Sequence, residues 1–235
     1  MEKFERLELL LGKEQMAKLQ QAKVAVFGLG GVGGYVVEAL ARSGIGGLLL
    51  LDYDRVTASN FNRQIIAVEE NSGELKTKAF LKRIATINSD CAVQINSTFI
   101  LPQQLQQLNF PEYDFIVDAI DTVTTKIAII EKAKNEDVPL ISAMGFGNKL
   151  QPEKIRITDI SATRICPLAK VMRQELKKRD IKEVTVAYSE ELPRQPFEKI
   201  INENNKVVVG SFAPVVATAG MMMAAYIIKQ LTNEK

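Results

Sequence analysis

Apolar positions along this chain follow two different periods, and the switches between them mark out its elements. Over the first roughly 20 residues, Phe4, Leu7, Leu10 and Leu11 fall on one side of a helix. The apolar run VAVFG then predicts a buried strand, Val32 to Ser43 has a helical period, and LLLLDYD reads as a second strand. A polar stretch, RVTASNFNRQI, is too rich in Asn and Ser for an ordinary helix. A helix from about Lys76 to Asn88 leads to the alternating strand AVQINSTF. DFIVDAI is another apolar strand, and a helix to about Asn135 separates it from the short strand VPLISAMG.

Strands that alternate with helices and read as continuous apolar runs belong to a parallel sheet covered on both faces. The predicted fold class is therefore α/β, with a Rossmann-like, doubly wound, mostly parallel sheet over residues 22–145. After Gly145 the alternation breaks. FGNKLQPEKIRITDI reads as a hairpin around Gln151-Pro152, so the sheet is expected to continue with antiparallel strands. The basic helix LAKVMRQELKKRDI, the strand EVTVAYS, the loop ELPRQPFEKIINENN, then VVVGSF and a terminal helix complete the order. With no internal repeat and no low-complexity linker, residues 1–235 read as one domain whose second half spans 146–235.

The terminal stretch is free of charge from Gly210 to Ile228 and just long enough to span a bilayer. Pro214 and Gly220 interrupt it and polar LTNEK follows, so the expectation is a buried helix or a subunit contact, with no membrane. The N-terminal MEKFERLELLLGKEQ sets acids among its apolar residues and does not read as a secretory signal.

Composition mainly excludes. Histidine is absent, which removes Ser-His and Cys-His catalysis and His-based zinc sites. Cys91 and Cys166 form no C-x-x-C pair, so a disulfide framework is not expected and a cytoplasmic setting fits. The formal charge of +2 points by itself to neither a nucleic acid nor a membrane surface, although Arg173, Lys177, Lys178, Arg179 and Lys182 form one dense basic cluster. Such a run is usually a solvated helix face. Chemistry is left to carboxylates, Lys, Arg, hydroxyls, backbone amides or a hard cation.

The strongest local signal is KVAVFGLGGVGGYVVEALARSG, where Gly28, Gly30 and Gly33 have G-x-G-x-x-G spacing between a strand and a helix. With Gly31 they let backbone N–H groups approach a phosphate at the helix N-terminus. Asp52, about 20 residues on, suits the ribose of NAD and of ATP equally. The polar set Asn60, Arg63, Gln64 and Lys76 separates the two. Hydride transfer seldom needs such a set, whereas a departing pyrophosphate does, because charge develops on its oxygens. An NAD-dependent oxidoreductase is thereby disfavoured.

GLGGVGGY, DYDRVTASNFNRQ, GELKTK and DAIDTVTTK resemble the adenylation core of the ubiquitin-activating-enzyme-like superfamily. FERLELLLG, EALARSGIG, NRQI, KIRITDISATRICPLAKVMRQELKKRDI and GSFAPVVATAGMMMAAYIIKQL extend the resemblance to its tRNA threonylcarbamoyladenosine dehydratase family. That resemblance implies a single adenylating domain that uses ATP and Mg²⁺ to dehydrate and cyclise threonylcarbamoyladenosine in tRNA through an acyl-adenylate. It implies Asn60, Arg63 and Lys76 on the triphosphate, and Asp121 near Mg²⁺ and the reacting phosphate, with Asp118 as a nearby second candidate. Gln64 adjoins them as a loop-ordering residue, and Asp54 braces the same loop. Arg6 would reach across a homodimer to the partner's ATP. The basic helix is then the first choice for tRNA backbone contacts, and Tyr188 either stacks on a base or belongs to the core.

The chain also departs from the family. Cys166 stands where an acid is expected, and the segment between Tyr188 and Asn205 is short and lacks cysteine. Cys166 is not expected to be a nucleophile, because dehydration has its acceptor inside the substrate; Cys91 reads as packing. The paired C-x-x-C zinc motifs of protein-activating relatives are missing, so no zinc is expected. The alternative reading is activation of the C-terminal carboxylate of a ubiquitin-like or sulfur-carrier protein. Some relatives also use a sulfur-transfer or electron-carrying protein partner.

Overall fold

The computed structural model describes residues 3–99, 101–201 and 207–234. Seven strands form one sheet: β1 (Lys23–Phe27), β2 (Gly47–Leu51), β3 (Ala92–Asn96), β4 (Phe115–Asp118), β5 (Leu140–Ala143), β6 (Ile155–Asp159) and β7 (Thr185–Ser189). Their order across the sheet is β3-β2-β1-β4-β5-β7-β6, all parallel except β6. The chain moves outward from β1 to β3, then returns to place β4 on the other side of β1. Such a reversal opens a crevice at the carboxyl ends of the strands, where ligands of open α/β sheets bind.

Helices cover both faces. On one, α3 (Gly33–Arg42), α4 (Lys76–Ile87) and α8 (Ala213–Thr232) bury Val36, Leu40, Phe80, Val215, Met223 and Ile227 against the sheet. On the other, α6 (Val123–Asn135) and α7 (Pro167–Lys178) bury Ile127, Ile130, Ala169, Met172 and Leu176. The short α5 (Pro102–Leu105) escaped the sequence reading, having a single buried residue, Leu105. Gly220 lets α8 cross α3 closely: a Cβ there would stand 2.5 Å from the Val32 carbonyl oxygen and 2.7 Å from Tyr35 Cβ. α8 is long and apolar enough to cross a membrane, yet its Val215–Ile227 stripe is packed into this core, as expected.

Two expectations are corrected. The N-terminal segment is not one amphipathic helix but two, α1 (Glu5–Leu11) and α2 (Lys13–Gln21), divided at Gly12 with φ +81°. The break leaves Leu10 outward beside Leu9, and α1 buries no residue at all. The hairpin around Gln151-Pro152 is also absent: Pro152–Lys154 forms a 3-10 turn, and β6 pairs antiparallel with β7, with Ile155 opposite Ser189 and Asp159 opposite Thr185. An alternating pattern identifies a strand without naming its partner. VVVGSF forms no strand beyond an isolated bridge between Ile201 and Val207; residues 202–206 of the preceding loop lie outside the described residues.

Candidate active site

A cavity of about 290 Å³ opens at the carboxyl ends of β1, β2 and β4. The loop after β1 enters it first, and its glycines divide the work. Gly28 has φ +88°, and a Cβ on it would lie 2.7 Å from the Ala119 carbonyl oxygen, so only glycine suits this turn. Gly33 is tighter still: a Cβ there would fall 1.9 Å from the Gly28 carbonyl oxygen, and its absence lets α3 start hard against β1. Gly30 faces open space and Gly31 lines the cavity beside Arg63. The backbone of Gly28, Gly30 and Gly31 thus lines the cavity just before α3 begins, and a helix N-terminus is a favourable place for phosphate.

Asp52 follows β2. Its Oδ2 accepts the Leu29 N–H at 2.6 Å and its Oδ1 the Asp54 N–H at 2.8 Å, so one carboxylate joins two ligand-facing loops. Burial pushes its pKa above the usual carboxylate range, against the opposing charge of Lys76 and those two N–H bonds. Lys76 opens α4, is almost fully buried, and holds its Nζ 2.8 Å from Asp54 Oδ2. Asp54 accordingly braces the lysine. Between them the polar stretch folds into a 3-10 turn, Ala58–Asn60, closed by Asn60 Oδ1 accepting the Thr57 N–H at 3.2 Å. Asn60 is buried behind the loop and is not part of the cavity wall, whereas Arg63 and Gln64 are. The Arg63 guanidinium donates to the Ser59 carbonyl at 2.8 Å and to Asn62 Oδ1 at 2.9 Å. Gln64 lines the cavity but is itself buried, and its enclosed Oε1 has no hydrogen-bond partner among the described residues.

The two acids after the third apolar strand part company. Asp121 is exposed on the turn following β4 and lines the cavity, accepting weakly from Thr122 Oγ1 at 3.3 Å. Asp118 is fully buried beneath that turn, outside the wall, with Lys126 Nζ at 2.8 Å and the Ser142 hydroxyl donating at 2.5 Å. Tyr53 and Phe99, which sequence reasoning missed, form an edge-to-face pair with centroids 4.7 Å apart at the end of the cavity beside β2 and β3. Their position directly after Asp52 and after the alternating strand was the one available signal. Arg6 is exposed on α1 and is not part of this cavity wall.

The remaining candidates lie away from the cavity. On α7, Glu175 binds Lys178 at 2.6 Å and Arg179 at 2.9 Å, Lys182 pairs with Asp180 at 2.8 Å, and Arg173 donates to the Thr163 carbonyl at 2.9 Å. Two acids, Glu175 and Asp180, thus offset part of the charge of the five basic residues. Tyr188 is buried in the core, with its hydroxyl on Glu190 at 3.3 Å. Cys166 is buried at the start of α7, and burial pushes the Cys91 thiol up to about 11, as for a packing residue.

Residues 4–235 match the family profile of the ThiF family. This chain belongs to the ThiF family. Within it, the tRNA threonylcarbamoyladenosine dehydratase of Bacillus subtilis is 38% identical over 98% of this chain and 95% of its own length. The ATP complex of the Escherichia coli tRNA N6-threonylcarbamoyladenosine dehydratase superposes with a TM-score of 0.88 at 31% identity, covering 99% of this chain and 94% of that one. An adenylyltransferase and sulfurtransferase from Xenopus laevis is 36% identical but aligns with only 57% of this chain and 29% of its own. The ThiF-family chain thus sits in the dehydratase branch, and the adenylyltransferase and sulfurtransferase is a more distant relative.

Proposed function

We propose that this chain uses ATP to dehydrate threonylcarbamoyladenosine in tRNA. The observation that carries the reading is the likeness, over almost the full length of both chains, to a dehydratase solved with ATP, joined to a cavity whose polar groups suit a nucleotide triphosphate. The strands give the nucleotide a direction. Neighbouring strands lie about 5 Å apart, so a nucleotide crossing the edge has its phosphates at the β1 loop, its ribose at Asp52 and its base toward Tyr53 and Phe99.

Arg63 and Lys76 then face the α-phosphate region and offset the charge that grows as pyrophosphate departs, already held in place by Ser59 and Asp54. The exposed Asp121 carboxylate on the cavity wall fits a phosphate-bound Mg²⁺ with its waters, which commonly takes one or two protein carboxylates. Mg²⁺ would neutralise phosphate charge there, and Asp121 is the residue to hold it. Asn60 acts from behind by shaping the loop. The substrate carboxylate attacks the α-phosphorus, forming an acyl-adenylate and releasing pyrophosphate. The carbamoyl group then attacks the activated carbonyl, AMP leaves with the former carboxylate oxygen, one proton is lost, and a ring closes. Water is lost overall.

A homodimer in which Arg6 serves the partner's site fits its exposure on α1 and the outward Leu9 and Leu10 beside it. A cytoplasmic setting without zinc, with access to a sulfur-transfer or electron-carrying partner, completes the reading. The test is to incubate the protein with ATP, Mg²⁺ and threonylcarbamoyladenosine-containing tRNA, then digest the tRNA and weigh the nucleoside. The expected result is loss of one water, slowed about 10²–10³-fold in Arg63→Ala and in Asp121→Ala. An unchanged mass despite bound ATP would sink the tRNA substrate and move the search to carrier-protein carboxylates.

A further inference from the structure

Lys126 belongs to no part of the cavity wall, yet it sits directly under the turn that carries Asp121. Its side chain is fully buried in the first turn of α6. Nζ stands 2.8 Å from Asp118 Oδ2 and donates to the Ile120 carbonyl at 3.1 Å. Asp118 in turn accepts the Ser142 hydroxyl from β5 at 2.5 Å and the Ile120 N–H at 3.4 Å. Both backbone polar groups of Ile120, the residue just before Asp121, are thus held by one buried ion pair. Ala119, Ile120, Asp121, Thr122 and Thr125 around that pair all line the cavity.

A buried ion pair is a poor way to gain stability, since well-packed apolar residues of similar volume often do as well. Its location therefore calls for a geometric reason. Ala119 donates to the Phe27 carbonyl at 2.8 Å and the Thr122 carbonyl accepts the Lys126 N–H at 3.0 Å, and between these anchors Ile120 is held by Asp118 and the Lys126 ammonium. We propose that Lys126 is a positioning residue: through the Ile120 carbonyl and Asp118 it fixes where Asp121 stands relative to the reacting phosphate. The proposal rests on the assignment of Asp121 to that phosphate. Misplacing a reacting group by about 1 Å can cost 10²-fold in rate, so the network acts on turnover more than on nucleotide affinity.

Lys126→Met alone leaves Asp118 buried without its partner and confuses folding with positioning. The decisive variant is the double change Lys126→Met with Asp118→Asn, which removes both charges and retains volume. The full chain is assayed for dehydration of modified tRNA under saturating Mg²⁺, with Lys126→Arg and Asp121→Ala alongside. Expected are a thermal midpoint near wild type for the double variant, kcat reduced about 100-fold, KM for ATP nearly unchanged, and partial rescue of kcat in Lys126→Arg. Undiminished kcat, recovery of both midpoint and kcat, a rise in KM alone, or failure of the double variant to fold would overturn the proposal. Full activity in Asp121→Ala would instead overturn the underlying site assignment, whatever Lys126 does.

Discussion

The carboxyl edge of the sheet is finished in two different ways. Around β1, β2 and β4 the polar groups facing the cavity are tied down beforehand: Asp52 takes two N–H groups, Lys76 is held by Asp54, and Arg63 by the Ser59 carbonyl. Around β5 and β7 the chain leads instead into a segment with little regular structure, where Leu192, Phe197, Ile200, Ile201, Val208 and Val209 are exposed. That segment is moored at a few points, including Asn148 to Gly210 at 2.7 Å and Asn62 to Ser211 at 3.0 Å. Stabilising a departing phosphate requires dipoles and charges that need no reorganisation when the reaction occurs. A surface that meets another macromolecule has no such requirement, and its apolar area is covered on association.

The comparison can be broken first within the glycine loop. Gly33→Ala drives a Cβ into the Gly28 backbone and should cost about 3 kcal/mol, lowering the thermal midpoint by roughly 6–12 °C. Gly30→Ala meets nothing within 4 Å and should move the midpoint by less than about 2 °C. Gly30→Ala should show up in KM for ATP instead. Equal losses of stability would mean that the loop is not divided between packing and phosphate approach.

The less ordered end can be sharpened next. Phe197→Ser tests whether this exposed segment joins α1 in the proposed homodimer: if it does, association weakens about 30-fold, read by sedimentation, while the monomer's thermal midpoint stays put because Phe197 is wholly exposed. An unchanged dimer constant would remove this segment from the interface.

The smallest effect concerns the brace under the nucleotide end. Glu38 joins the helix that starts at the glycines to the one that starts at Lys76, accepting from Arg83 at 2.6 and 2.9 Å and from Arg42 at 2.7 Å. Burial alone would raise its pKa, but the bonds and charges of the two arginines together hold it below the ordinary 4.5. A carboxylate with a depressed folded pKa adds stability above its unfolded value and loses it as pH falls through the folded one. Glu38→Gln should therefore cost about 1–2 kcal/mol at pH 7, discounted for the exposed Arg42. In urea melts that gap should close below pH 4.5; a constant gap would show that packing, not charge, is what Glu38 contributes.

Several of these features were legible beforehand for local reasons. β1, β2 and β4 are short apolar runs, and the turn after β1 needs glycine at fixed offsets, so neighbouring residues suffice to predict them. The basic run on α7 was legible as a solvated helix face from its composition, whereas the pairing of Glu175 with Lys178 and Arg179 came from the structure. The partner of β6 was not legible, because β7 lies about thirty residues further on and the nearer turn offered a shorter, wrong answer. Nor could the exposure of Tyr53 and Phe99 be read from two aromatic letters more than forty positions apart.

By itself, then, the sequence determined most of the order of strands and helices, the glycine turn after β1, and a chemistry left to carboxylates, Lys, Arg, hydroxyls, backbone amides or a hard cation. Each of these depends on residue type and short spacing. Tertiary structure decided that Asp121 lines the cavity while Asp118 lies buried outside its wall, that Asn60 sits behind its loop, and that Gln64 is buried at the cavity wall. It also brought Lys126 under Ile120 and Ser142 across to Asp118. Those outcomes follow from which hydrogen-bonding groups meet when distant segments pack, and a buried polar atom takes its partner from whatever the fold sets beside it.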